Sequence, residues 1–146
     1  MPGVKLIPFL LLLFLNCTFA IADEKYGYDG DYPIKVGGID WSLGEIAAVF
    51  AGHNDYDYLR ALRGPNGEQV QFERIGSCCP YEIPEGTVIL DKWKLSYDGL
   101  EEPVEIYTSI YEFETPRAPK GFQLDADFEA SLNKSLNADA SDAGAG

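Results

Sequence analysis

The chain has 146 residues, with 24 Asp+Glu against 11 Lys+Arg, and a formal charge of −13. That balance favours solubility and repels nucleic acid and anionic lipid surfaces, so no nucleic-acid partner is expected. The length suits one domain with a real core and excludes a (β/α)₈ barrel, which takes about 250 residues.

Residues 1–22 have the three zones of a secretory signal peptide. Lys5 supplies the positive end, residues 6–15 are almost wholly apolar, and Ala20-Ile21-Ala22 places small residues where signal peptidase needs them. Cleavage is expected before Asp23, with the product in the periplasm or secreted. The apolar run is short of the roughly 20 residues that span a bilayer, which argues against an uncleaved anchor. A lipid anchor at Cys17 is disfavoured, because Asn16 is not the small residue that a lipidation signal places before its cysteine. Cys17 is therefore expected to leave with the signal. No later segment is apolar and long enough to cross a membrane. Removing residues 1–22 takes away Lys5 and no acid, which leaves 124 residues and a balance of −14.

A single domain is expected over residues 23–124, followed by an acidic tail over 125–146. Residues 23–33 read as a polar, aromatic lead-in. Asp29-Gly30-Asp31 resembles the opening of a calcium loop but lacks the later ligands and the closing Glu. Residues 34–36 can form a short edge strand before Gly37-Gly38. Residues 43–51 are apolar, and periodicity does not decide between helix and buried strand.

The clearest helix runs over residues 54–63. Asn54 suits the N-cap, Asp55 and Asp57 put negative charge in the first turn, and Leu59 and Leu62 share a face. Arg60 and Arg63 suit the C-terminal end, with Gly64 and Pro65 as the stop and Pro65-Asn66-Gly67 as a tight turn. His53, just before this helix, reads as a surface or capping residue.

Three strands come next. Residues 70–75 alternate with Val70 and Phe72 inward, and residues 88–97 place Trp93, Leu95 and Tyr97 on one face. Residues 104–113 place Val104, Ile106 and Ile110 on one face and Tyr107, Tyr111 and Phe113 on the other. The short connections favour an antiparallel meander, and a helix on one face makes the fold α+β. Pro116 and Pro119 keep residues 115–122 out of the sheet. Residues 124–136 suit a short amphipathic helix with Leu124, Phe128 and Leu132 in phase, and disorder is expected after Asn137.

Three segments carry a resemblance: Leu62-Arg63-Gly64-Pro65-Asn66-Gly67, then Arg74-Ile75-Gly76-Ser77-Cys78-Cys79-Pro80, then the strand pair from Leu90 to Tyr111 ending near Pro119-Lys120-Gly121-Phe122. The pattern, over roughly residues 33–122, resembles small bacterial envelope proteins of uncharacterised function, many with lipoprotein signals. Its most specific part is Gly-Ser-Cys-Cys-Pro. The resemblance implies an envelope location and a shared fold. Some members are labelled 2-dehydro-3-deoxyphosphooctonate aldolase, an activity that implies a barrel 124 residues cannot build, so it is not carried over.

Three candidate sites remain. Cys78 and Cys79 are the only cysteines after export, and thiols pair in an oxidising compartment. They can form a bridge that fixes the turn after the first strand, a redox switch, or an intermolecular link. A metal site is weaker, since two adjacent thiolates need further ligands and the chain has 1 His. Tyr107, Tyr111 and Phe113 can form a face for a partner protein or glycan, or a second core layer. Arg74 and Asp91 both fall in apolar phase on neighbouring strands, so they can pair; a β-bulge at Arg74 is the competing account. No phosphate loop, nucleophile elbow or His-x-x-x-His occurs, and no cofactor or catalytic residue is assigned. The function expected is binding within the envelope, with thiol-redox chemistry as the alternative.

Overall fold

The computed structural model describes residues 24–37 and 55–142. The signal segment with Cys17, the apolar run 43–51, His53 and Asn54 lie outside the described residues. The elements in chain order are β1 (Ile34–Lys35), α1 (Asp55–Ala61), β2 (Leu62–Arg63), β3 (Gln71–Ile83), β4 (Gly86–Ser96), β5 (Val104–Ser109), β6 (Gln123–Leu124) and α2 (Ala126–Asp142). The fold is α+β and sheet-dominated. A four-stranded sheet has the order β1-β5-β4-β3, and β2 and β6 form a two-stranded sheet. The meander β3-β4-β5 is antiparallel, and β1 adds to its edge parallel to β5.

The core forms where alternation along the strands meets α1. Trp93, Leu95 and Ile106 share a sheet face and are fully buried, together with Ile34, Tyr58, Leu59 and Leu62. Each such aliphatic side chain contributes roughly 1.5–3 kcal/mol on burial. Tyr56 stands edge-on to Trp93 at 5.2 Å, and Phe72 stands edge-on to Trp93 at 6.0 Å. The indole Nε1 of Trp93 donates to Thr108 Oγ1 at 3.0 Å, so the one polar atom of the buried ring is satisfied.

Several boundaries differ from the sequence expectation. α1 stops at Ala61, not Arg63, because its last carbonyls find partners elsewhere. Asp125 N donates to Ala61 O at 2.8 Å, and Arg63 Nη1 reaches back to Arg60 O. Leu62 and Arg63 then pair with Leu124 and Gln123. α2 consequently starts at Ala126, with Asp125 Oδ1 accepting from Asp127 N, and it runs on to Asp142 where disorder is expected. Extending a formed helix is cheaper than nucleating one, so polar residues continue it. β3 does not end at Ile75 but carries the Cys-Cys pair in mid-strand; the turn comes later, between Ile83 and Gly86. β5 ends at Ser109, and Ile110 is 37% exposed, not in the core.

The lead-in is also more than polar chain. Tyr26 is buried, and Tyr107 N donates to Gly27 O. Gly27 has φ +80°, and a Cβ there would strike Ile34 at 2.8 Å, so the turn requires glycine.

Candidate functional site

β3 and β4 form a hairpin arm whose regularity is broken twice. Pairing shifts register between Arg74 and Gly76 and again between Cys78 and Pro80, which extrudes Ile75 and Cys79 as bulges. The first bulge changes the phase of the strand. Arg74 stands opposite Trp93, yet Ser77, three residues on, stands opposite Asp91 on the same face. Three side chains thereby converge. Arg74 Nη2 is 2.5 Å from Asp91 Oδ1 and 2.7 Å from Ser77 Oγ, and Ser77 Oγ is 3.0 Å from Asp91 Oδ1. The sequence sets an ion pair against a bulge, and the structure contains both. Ile75 does not return to the core, being 48% exposed, and the Arg74 side chain is 43% exposed. The pair is thus solvated on one side and escapes the desolvation penalty of a buried one.

Asp55, the first residue of α1, is buried and senses this cluster. Burial holds its carboxyl above the ordinary carboxylate range; the backbone N–H of Tyr56 pulls it down, Asp91 pushes it up, and Arg74 pulls it down. The Arg74 guanidinium is shifted upward by the hydrogen bond and charge of Asp91.

Cys78 and Cys79 are joined by a disulfide between adjacent residues. Cys78 pairs with buried Leu90, whereas Cys79 is the exposed bulged residue. Cys79 has φ +63°, a left-handed conformation that costs a residue with a Cβ about 1–2 kcal/mol. The pair therefore sits within a strand, not at the turn that the sequence suggests.

The arm outruns its neighbour. β4 pairs with β5 only from Asp91 to Leu95, while its pairing with β3 continues to Gly86. The cause lies just beyond β5. Val36 N donates to Ser109 O, Gly37 N donates to Glu112 O, and Phe113 bridges Val36. Residues 110–113 thus track β1 and diverge from β4. A groove of about 510 Å³ opens in the wedge, lined by Ile83, Glu85, Gly86, Thr87, Val88, Ile89 and Tyr111. Ile89 is 48% exposed there.

The three candidate aromatics occupy three places. Tyr107 lies under the Lys92 ammonium, 5.4 Å from ring centre to nitrogen, beside the Lys92–Glu105 ion pair. Tyr111 lines the groove, and Phe113 lies at the β1 edge. They do not form a single face because the strand ends at Ser109.

Sequence reasoning missed the clamp that holds residues 115–122. Tyr26 OH accepts from Arg117 N at 3.1 Å, the Arg117 guanidinium lies 4.4 Å over the Tyr26 ring, and Tyr58 OH donates to Arg117 O at 2.7 Å. Tyr28 OH donates to Lys120 O. Burial pushes the Tyr28 phenol up to about 12, with a smaller upward push from Tyr97, and raises Tyr58 well above its ordinary range. The only signal in sequence is that buried tyrosine hydroxyls need partners.

Asp29 Oδ1 accepts from the Asp31 backbone N at 3.0 Å, so this segment closes as a local turn. Among the described residues no group of three His, Cys, Asp or Glu side chains is placed to hold a metal ion, and no helix is long and apolar enough to cross a membrane. No protein-family model, curated protein or solved structure matches the chain.

Proposed function

We propose that the protein is an exported bacterial envelope domain that works by binding a partner protein. The observation that carries this reading is the groove of about 510 Å³ beside the part of β4 that lacks a β5 neighbour. An apolar concavity walled by a strand edge is suited to recognition, and its volume falls within the roughly 300–1,000 Å³ usual for binding sites. A row of backbone donors and acceptors favours a polypeptide over the glycan that the aromatic residues alone would also accommodate. The signal-like residues 1–22 and the resemblance to envelope proteins with Gly-Ser-Cys-Cys-Pro support the compartment. A photo-crosslinking side chain at position 89, in cells that make the protein, tests the reading. A discrete adduct from position 89, absent when the same group stands at exposed Glu101, is expected. Equal labelling from both positions, or none from either, overturns it.

Thiol-redox chemistry is the second reading, favoured by the exposure of Cys79 on its bulge. An incoming thiolate would attack one sulfur, forming a mixed disulfide and releasing the other cysteine as a thiolate. Alkylation and mass measurement after equilibration with glutathione buffers decide it. A bridge that stays closed throughout the physiological range removes this reading.

A further inference from the structure

The groove has a backbone wall as well as apolar side chains, and the two together specify a mode of binding. Resting on the binding reading above, we propose that residues 86–90 of β4 accept an extended peptide as an added strand, one that alternates apolar side chains with lysine or arginine.

The template is already formed. Gly86, Thr87, Val88 and Ile89 are held in strand geometry by Ile83, Glu82, Tyr81 and Pro80 of β3. On their other side no strand stands among the described residues, since β5 pairs only from Asp91 onward. An edge with a row of ladder groups invites a further strand, and proteins usually blunt such an edge with proline, bulges or lysine. Residues 86–90 carry none of these; Thr87, Val88 and Ile89 are β-branched residues suited to pairing. The peptide's apolar side chains, all on one face of the added strand, would lie on the face of Ile83 and Val88, and its cationic side chains on the face of Thr87 and Glu82. Charge selects the remaining positions. Among the described residues the groove is lined by Glu85 and by no cation, and Glu82 stands close by, accepting from Thr87 Oγ1 at 2.6 Å. A second copy of the chain would bring the same carboxylates and a net charge of −13, so edge-to-edge self-pairing is opposed.

The probe is a capped peptide of about nine residues, a common strand length, in which valine or threonine alternates with lysine. Controls replace each lysine by aspartate, or place proline at the centre of the lysine peptide. Hydrogen exchange on the full chain, read at residues 86–90, should slow at least about tenfold with the lysine peptide and not with either control. Glu82→Lys combined with Glu85→Lys should weaken probe binding at least about tenfold with the circular dichroism spectrum unchanged; an unchanged affinity overturns the charge assignment. Slowing by the proline peptide equal to that by the lysine peptide overturns strand addition. So does protection of residues 86–90 in the probe-free protein, which means the chain itself covers the edge, or protection that grows with protein concentration, which means a second copy does. Crosslinking from position 89 separates the two levels. An adduct there without peptide-induced protection leaves the binding reading intact and removes strand addition, whereas the absence of both removes both.

Discussion

Along β3 the outer edge of the hairpin arm is interrupted at Ile75 and Cys79 and carries Pro80, which brings no N–H. Along residues 86–90 of β4, on the opposite side of the same arm, the edge is regular and β-branched. Among the described residues both edges present an unpaired ladder, and only one of them is blunted. The outer edge is also tied down: Arg74, Ser77 and Asp91 are linked across the first bulge, and a disulfide closes on the second. The difference teaches that irregularity in this sheet is placed, not distributed, and that one edge is kept free of it.

The comparison breaks most directly at the first bulge. Inserting an alanine between Ile75 and Gly76 gives the bulge one residue too many, so the residues from Gly76 to Ile83 slip by one and change face. Ser77 then leaves Asp91, and Ile83, which is buried, loses its place. Urea unfolding of this insertion variant should show a loss of about 2–4 kcal/mol, and a loss below roughly 1 kcal/mol would show that the bulge absorbs the extra residue without a slip.

The second bulge gives a smaller effect. Without the bridge, Cys79 still has to adopt φ +63°, which glycine does without a Cβ penalty. Cys78→Ser with Cys79→Gly should therefore be about 1 kcal/mol more stable than the double serine variant. Equal stability would mean that the left-handed turn relaxes once the bridge is gone.

The ion pair sharpens the comparison further. A double-mutant cycle with Arg74→Met and Asp91→Leu should give a coupling of about 0.5–1 kcal/mol, the upper part of the range for exposed pairs. A coupling near zero would leave the bulge alone responsible for closing the outer edge.

The smallest effect is one of pH. Burial raises the Asp55 carboxyl above 3.8, so the folded state binds its proton more tightly than the unfolded chain does. The stability that this group contributes is full below the ordinary carboxylate range and is lost as pH rises through the folded-state value. Asp55→Asn removes that dependence while keeping an acceptor for the Tyr56 N–H. Relative to Asp55→Asn, the wild type should lose stability on going from about pH 3 to pH 6; a relative gain would reverse the assigned direction.

Much of the frame was legible because it rests on local rules. Alternation at Trp93 and Leu95 marks β4, and the acidic first turn at Asp55 and Asp57 marks α1. Arg74 and Asp91 could be singled out because a charge in apolar phase is conspicuous. The bulges could not be read in the same way. An inserted residue leaves Val70, Phe72 and Arg74 in perfect alternation and shifts only the residues C-terminal to it, and nothing in Ile75 itself says that it is extruded. The groove was hidden for a related reason. Tyr111 and Phe113 continue the alternation of β5 in sequence, but Val36 and Gly37 draw residues 110–113 away from β4.

The sequence by itself determined the α+β class, the order of the meander, the position of the first helix and the bulk of the buried face, since each is set by side-chain period and turn chemistry within a short window. Tertiary structure decided where each element stops. Ala61 O goes to Asp125, Ser109 O goes to Val36, and the tyrosine hydroxyls of the lead-in fix the chain around Arg117 and Lys120. Backbone groups at the end of an element must find partners, and those partners come from residues distant in sequence, so their positions are set only when the whole chain has folded.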